Sequence, residues 1–111
     1  VAAAAGTELM GGTPQMCLQA AAMAILNLLG LVCVPVVGLV EVPCQSRNAA
    51  GAVNAVTCAE ITLSGVVYPI PFDEMVDAMY KVGKSIPFEL RETAIGGCAG
   101  TPTGCGMRCR I

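Results

Sequence analysis

The sequence predicts an all-α protein, a helical bundle with an ordered loop, rich in valine and proline, between the first and second long helices. Three observations favour this fold class. Of 111 residues, 55% are hydrophobic and only 13% are charged, against about 25% charged in an average domain. Apolar residues recur at the helical period in several segments, and Thr-Pro and glycine punctuate the boundaries between them. This length corresponds to one domain or part of one.

The first predicted helices lie in the amino-terminal third of the chain. Residues 1–12 are alanine-rich and predict the end of an earlier helix that closes at Gly11 and Gly12. Thr13 is typical of an N-cap and Pro14 of a first helical position, so the next helix begins there and extends to residue 29. Gly30 is its predicted C-cap. A helix that is apolar on all sides lies in the centre of a bundle or in lipid.

The rest of the chain alternates between loops and helices. Residues 31–44 contain two prolines and many valines, which favour a tightly packed extended loop. Helical spacing returns over 48–64 and again over 72–82, where acidic residues precede basic ones as the helix dipole favours. We expect a short last helix over 87–94. The glycine- and cysteine-rich tail from residue 96 shows no helical pattern.

Charge and composition exclude several functions. The net charge of −2 offers no cationic surface to nucleic acid or to an anionic membrane. The chain has no histidine, which excludes a Ser-His-Asp triad and any zinc site that uses histidine. Residues 20–40 are uncharged and long enough to span a bilayer, but Gly30, Pro35 and Gly38 interrupt them. We therefore predict a buried helix followed by an ordered loop, and no membrane partner.

The cysteines are numerous but do not form the pattern of a disulfide framework. Their number is odd, their spacing is irregular and the chain is rich in core-forming residues, so we expect reduced, intracellular thiols. The chain begins without an initiator methionine, and we expect it to be part of a longer protein that covers its apolar surface. The seven cysteines are Cys17, Cys33, Cys44, Cys58, Cys98, Cys105 and Cys109.

Cys33 and Cys44 are the strongest candidates for metal-ligating residues. They flank the predicted loop, and thiolates in loops bind zinc or iron–sulfur clusters. Pro35 and Pro43 stiffen the approach to each thiol. The spacing matches no standard ferredoxin or zinc finger, so the residues alone leave two interpretations open: metal ligands or buried structural cysteines.

The remaining cysteines have less specific surroundings. The three tail cysteines lie among glycines near two arginines, and they are either a metal knuckle or incidental thiols. Cys17 and Cys58 lie within predicted helices among apolar residues, where we expect them to fill space. The tail group consists of Cys98, Cys105 and Cys109, with Arg108 and Arg110 beside them.

Polar residues directly after Cys44 are candidates for binding a substrate. An arginine side chain binds a carboxylate through two parallel hydrogen bonds, which suits Arg47. Asn48 would lie at the start of the next helix, where anions bind; alternatively it is an N-cap and Arg47 a solvated charge. Lys81 and Lys84 lie on a predicted surface helix, and no catalytic residue is identifiable.

Several motifs, in the same order along the chain, resemble the α chain or α domain of the iron–sulfur-dependent bacterial L-serine dehydratases. The longest covers residues 29–49 and contains both loop cysteines together with Arg47 and Asn48. Together the motifs cover roughly residues 9–104. The shorter motifs are Gly11-Gly-Thr-Pro, Asp77-Ala-Met-Tyr-Lys-Val-Gly, Arg91-Glu-Thr-Ala-Ile-Gly-Gly and Thr101-Pro-Thr-Gly.

The resemblance implies an all-helical domain that binds a [4Fe–4S] cluster through three cysteines, with one iron left open to substrate. Cys33 and Cys44 match the second and third ligands. The first ligand would lie before residue 1, so residues 1–111 would be the C-terminal part of the α domain, with its N-terminal part missing and the fragment alone inactive. The open iron would act as a Lewis acid in the dehydration of L-serine to pyruvate and ammonia. Our own hypothesis is that Arg47 or Asn48 helps to bind the substrate carboxylate, because both follow a ligand cysteine.

The resemblance further implies a β domain or chain as partner, an oligomer, a cytoplasmic location and a role in amino-acid degradation and gluconeogenesis. The sequence departs from the family pattern at Val34, where the pattern has aspartate after the cysteine. Loss of that carboxylate would alter hydrogen bonding beside a cluster. Two other classes compete: a non-catalytic helical module whose cysteines only pack, and a small membrane protein.

Overall fold

A computed structural model describes residues 1–108, except the side chain of Arg108, and it is all-α as predicted. Its α-helices are α1 (Ala2–Leu9), α2 (Pro14–Asn27), α3 (Cys44–Leu63), α4 (Phe72–Ser85) and α5 (Pro102–Arg108). Three 3-10 helices lie at Val36–Gly38, Phe88–Leu90 and Gly97–Gly100. The ordered loop between the long helices α2 and α3 is confirmed. Cys109, one of the predicted tail cysteines, lies outside the described residues.

The chain divides into two compact units. The first consists of Val1–Leu29 and Ala50–Lys84, and the second of Gly30–Ala49 and the described residues from Ser85 onward. The first unit holds α1, α2 and most of α3 and α4. The second holds the loop between α2 and α3, the first turns of α3, and α5.

The core of the first unit is built from small side chains. Ala3, Ala20, Ala55 and Cys58 are buried together with Met23, and Ala24, Ile61 and Tyr68 pack against them. Alanines let helix backbones approach closely because little side chain separates them. In α2 only residues 20–23 are buried, whereas Leu18 and Leu26 are exposed. The described part of the chain therefore does not enclose α2, which is apolar on nearly all sides.

The start of α2 follows the prediction, and its end differs slightly. The Thr13 hydroxyl accepts a hydrogen bond from the Met16 backbone N–H at 3.2 Å, and Pro14 occupies the first turn. The helix ends at Asn27 with Leu28 as its cap residue. Gly30, the predicted C-cap, lies beyond the cap but has the left-handed backbone (φ +80°) that favours glycine.

Helix α3 begins four residues earlier than predicted. Its first residue is Cys44, so the interpretation of Asn48 as an N-cap is wrong. The N–H groups of Gln45 and Arg47 donate to carbonyls before the helix, and the Ser46 hydroxyl donates to the Pro43 carbonyl at 2.9 Å. Pro43 is suited to this position because a proline needs no N–H partner at a helix start.

The segment after α4 also differs from the prediction. In place of a helix over 87–94, only Phe88–Leu90 forms a 3-10 turn, because the backbone around residues 90 and 91 pairs with the loop instead. The tail is helical where none was expected. The N–H of Gly104 donates to the Thr101 hydroxyl at 3.1 Å, and Pro102 starts α5, so Thr-Pro opens this helix as it opens α2.

Candidate metal centre

The two candidate ligands lie at the two ends of one loop, residues 33–44, which we call the cysteine loop. Cys33 is exposed and Cys44, the first residue of α3, is half-buried; both are free thiols. The cysteine loop and the first turn of α3 belong to the second unit. Neither thiol is enclosed, so both side chains are available to an external atom.

A hydrogen bond across the cysteine loop closes its middle. The N–H of Val36 donates to the carbonyl of Val42 at 2.9 Å; we call this bond the inner cross-link. Between its ends the chain reverses through the 3-10 turn, where Val37 and Gly38 both have positive φ, +60° and +79°. A valine is rarely found in this conformation, so the surrounding bonds hold the reversal in place. The inner cross-link thereby joins the segment that follows Cys33 to the segment that precedes Cys44.

A second contact closes the base of the cysteine loop. The Nη1 group of Arg47, in the first turn of α3, donates a hydrogen bond to the carbonyl of Val32; we call this contact the outer cross-link. Cys33 follows Val32, and Cys44 lies three residues before Arg47. Both cysteines therefore fall between the inner and outer cross-links, on facing stretches of chain.

The backbone of Cys33 pairs with the segment that follows α4. The N–H of Cys33 donates to the Leu90 carbonyl at 3.1 Å, and residues 33 and 91 form a parallel bridge. Val34 is only 1% exposed. Its neighbour is Gly97, where an added Cβ would come within 2.6 Å of Val34 Cγ2.

The Cys98 thiol also contacts this part of the cysteine loop. Its Sγ donates to the Val34 carbonyl at 3.2 Å. The residues behind Cys33 are thus an unbroken set of backbone and packing contacts. We did not predict these contacts, and the sequence offers no local signal for them because the partners are 57 or more residues apart.

The donor set is suited to part of a cluster site. Thiolates are the ligands that iron–sulfur clusters use, and Cys33 and Cys44 are free thiols that lie between the inner and outer cross-links. Within residues 1–108, however, no group of three histidine, cysteine, aspartate or glutamate side chains could hold a metal ion. The described residues therefore fit two ligands of a cluster and not a complete set.

The predicted substrate-binding residues lie immediately beyond the second thiol. Arg47 is half-buried and bound to the Val32 carbonyl, and Asn48 is exposed on the same first turns of α3. A guanidinium has five N–H donors, and the outer cross-link uses only those of Nη1. Arg47 and Asn48 thus share the end of α3 that carries Cys44.

The other cysteines lie in different settings. Cys58 is fully buried in α3, and burial raises the pKa of its thiol while a hydrogen bond from Asn27 opposes the shift. This agrees with the predicted packing role. Cys17 is half-buried, and Cys98 and Cys105 are exposed. Lys81 and Lys84 are exposed on α4, as predicted for a surface helix.

Comparison with known proteins gives the family. The family described as "Serine dehydratase alpha chain" matches residues 1–99. The chain belongs to this family. The resemblance seen in the motifs is confirmed, and it extends over both units of the fold.

Individual serine dehydratase relatives match almost all of the chain. It is 56% identical over 104 residues, 94% of its length, to the probable L-serine dehydratase alpha chain of Bacillus subtilis. It is 54% identical over 98% of its length to the probable alpha chain of Latilactobacillus sakei, and 51% identical over 97% to the L-serine dehydratase alpha chain of Peptoniphilus asaccharolyticus. These matches cover 35%, 52% and 37% of the relatives, so the chain spans about a third to a half of their length.

Two further findings concern the fold. No solved structure matches the chain. Among the residues that the structure describes, no helix is both long and apolar enough to cross a bilayer.

Proposed function

We propose that residues 1–111 form the C-terminal part of the α domain of an L-serine dehydratase, in which Cys33 and Cys44 are two of three ligands to a [4Fe–4S] cluster. The observation that carries the proposal is the position of both free thiols between the inner and outer cross-links. Membership of the serine dehydratase alpha chain family supports the reaction, L-serine to pyruvate and ammonia. The exposure of Cys33 argues against a purely packing role for that residue.

The third ligand belongs, in this proposal, to a part of the enzyme outside residues 1–111. The described residues contain no three-residue donor group, and the matched relatives are two to three times as long as this chain. The remainder of the α domain would also cover the exposed apolar side chains of α2, such as Leu18 and Leu26. A β domain or chain would complete the enzyme.

The proposed roles of the chain's own residues follow from their positions. When bound, the cluster supplies a Lewis-acidic iron that polarises the substrate hydroxyl. Cys33 and Cys44 would hold the cluster between the inner and outer cross-links of the cysteine loop. The exposed Asn48 amide and the guanidinium N–H groups of Arg47 outside the outer cross-link would receive the substrate carboxylate, since Arg47 is the only lysine or arginine in the first 80 residues.

Anaerobic reconstitution of the complete α chain with ferrous iron and sulfide tests the ligand assignment. We expect sulfur-to-iron charge-transfer absorbance and iron content to fall sharply in Cys33→Ser and in Cys44→Ser. Cys105→Ser is the matched control, because it replaces an exposed thiol in α5 and should leave both readings unchanged. Full iron content in either loop variant would contradict the assignment, and so would a wild-type chain that takes up no cluster.

A further inference from the structure

Arg47 has an unusual setting for a long cationic side chain. It is half-buried, and its Nη1 group binds a backbone carbonyl and not a carboxylate. Fixing such a side chain costs conformational entropy, and the hydrogen bond that it forms has to offset this cost. The acceptor of that hydrogen bond is the carbonyl of Val32, the residue directly before Cys33.

The backbone of Arg47 is hydrogen-bonded to the other end of the cysteine loop. The Arg47 N–H donates to the Pro43 carbonyl at 3.1 Å, which places its backbone in the first turn of α3 beside Cys44. One residue therefore contacts the chain on both sides of the loop: through its backbone next to Cys44 and through its side chain next to Cys33.

We infer that Arg47 is a positioning residue that sets the distance and orientation of Cys33 relative to Cys44 through the Val32 carbonyl. The inference rests on the proposed function for the ligand role of the two thiols. Without the outer cross-link, the inner cross-link at Val36 and Val42 still joins the two sides of the cysteine loop, and the Cys33 N–H stays bonded to the Leu90 carbonyl. The side of the loop that carries Cys33 is then no longer tied to the first turn of α3, which carries Cys44.

The chemistry of the side chain explains why arginine suits this task. A guanidinium is planar and permanently charged, and a hydrogen bond from it to a carbonyl is stronger than one between neutral groups. A lysine at this position can make one such bond but lacks the rigid planar fork. A methionine fills similar space and offers no donor.

The test uses the complete α chain in two states. In the cluster-free protein, a short reagent that links two thiols is applied, and peptide mapping measures the rate at which Cys33 becomes joined to Cys44. In the reconstituted protein, the electron paramagnetic resonance signal of the reduced cluster and the rate of cluster loss to a chelator are recorded. The variants are Arg47→Met, Arg47→Lys and the control Lys81→Met, which removes an exposed cation from α4.

We expect Arg47→Met to lower the cross-linking rate about tenfold, the effect of losing one charge-assisted hydrogen bond, and to alter the cluster signal and speed cluster loss. Arg47→Lys should recover part of each, and Lys81→Met should match the wild type. If Arg47→Met does not fold, the partial defect of Arg47→Lys carries the same test.

Two results would overturn the inference: wild-type cross-linking in Arg47→Met, or an unchanged cluster signal with only a raised KM for L-serine, which would leave Arg47 as a carboxylate-binding residue alone. A wild-type chain that binds no cluster, with cross-linking still lost in Arg47→Met, would refute the proposed function and support the positioning role.

Discussion

Gly97 supports the cysteine loop from behind, and replacing it with alanine should damage both the fold and the site. A Cβ added at Gly97 would lie 2.6 Å from Val34 Cγ2 and 3.5 Å from Val34 Cβ. Val34 is 1% exposed and directly follows Cys33. The new methyl group must therefore displace Val34, the residue that directly follows Cys33.

The expected loss has two contributions. Gly97 has φ +53°, and a residue with a side chain in the left-handed region costs roughly 1–2 kcal/mol. Inserting a methyl group into a packed position costs about 1–3 kcal/mol more. The sum, roughly 2–5 kcal/mol, is a large part of the 5–15 kcal/mol that typically stabilises a domain.

Urea denaturation of Gly97→Ala and of a matched variant separates the two contributions. Gly38→Ala is the control, because Gly38 also has positive φ (+79°) but nothing lies within 4 Å of its added Cβ. It should therefore show the backbone cost alone. Added to Val34→Ala, which has its own cost as the loss of a buried side chain, Gly97→Ala should show only the backbone cost, since the clashing methyl group is absent. The same samples should show faster alkylation of Cys33 in Gly97→Ala than in Gly38→Ala.

Equal losses in Gly97→Ala and Gly38→Ala would refute the reasoning. They would mean that Val34 moves aside without cost and that the contact behind Cys33 does not hold the loop. The reasoning would also fail if Gly97→Ala cost as much stability in the Val34→Ala background as it does in the wild type.

Two further predictions concern the first unit. Thr13→Ala removes the side chain that caps α2 at Met16 and should lower the free energy of unfolding by about 1 kcal/mol, measured by urea denaturation; no change would show that the cap is dispensable. Burial raises the pKa of the Cys58 thiol from 9.0, so above that pH the unfolded chain releases a proton that the folded chain keeps. Stability should then fall as pH rises past 9.0 and through the raised folded pKa, with a smaller fall in Cys58→Ala; equal slopes would contradict this.

The sequence predicted those elements whose ends are determined by neighbouring residues in the chain, through caps, prolines and charge order. The Thr13–Pro14 pair marks the start of α2 because the hydroxyl caps the helix and the proline needs no N–H partner. Charge order marks α4, where Asp73 and Glu74 lie in the first turn and Lys84 in the last. The absence of helix from residues 31–43, apart from one 3-10 turn, followed from prolines and β-branched residues.

Tertiary contacts explain where the local signals failed. Residues 87–94 have a helical pattern, but the Leu90 carbonyl accepts from the Cys33 N–H and the chain bends away at Glu92, which has φ +51°. The Thr101–Pro102 signal for α5 was present in the sequence and was missed among the glycines. Cys33 and Cys44 could be singled out from the sequence, whereas the Arg47 contact with Val32 could not, because a lone arginine gives no indication of its acceptor.

The valine at position 34 is consistent with the ligand assignment, although the family resemblance leads one to expect aspartate there. Consecutive side chains of an extended segment point to opposite faces, and here Cys33 is exposed while Val34 is buried against Gly97. An apolar side chain suits that buried face, where an ionised carboxylate would need a partner to offset its desolvation. The Cys98 thiol meanwhile donates to the carbonyl of residue 34. The substitution therefore changes the packing behind the cysteine loop and leaves the face that presents Cys33 intact.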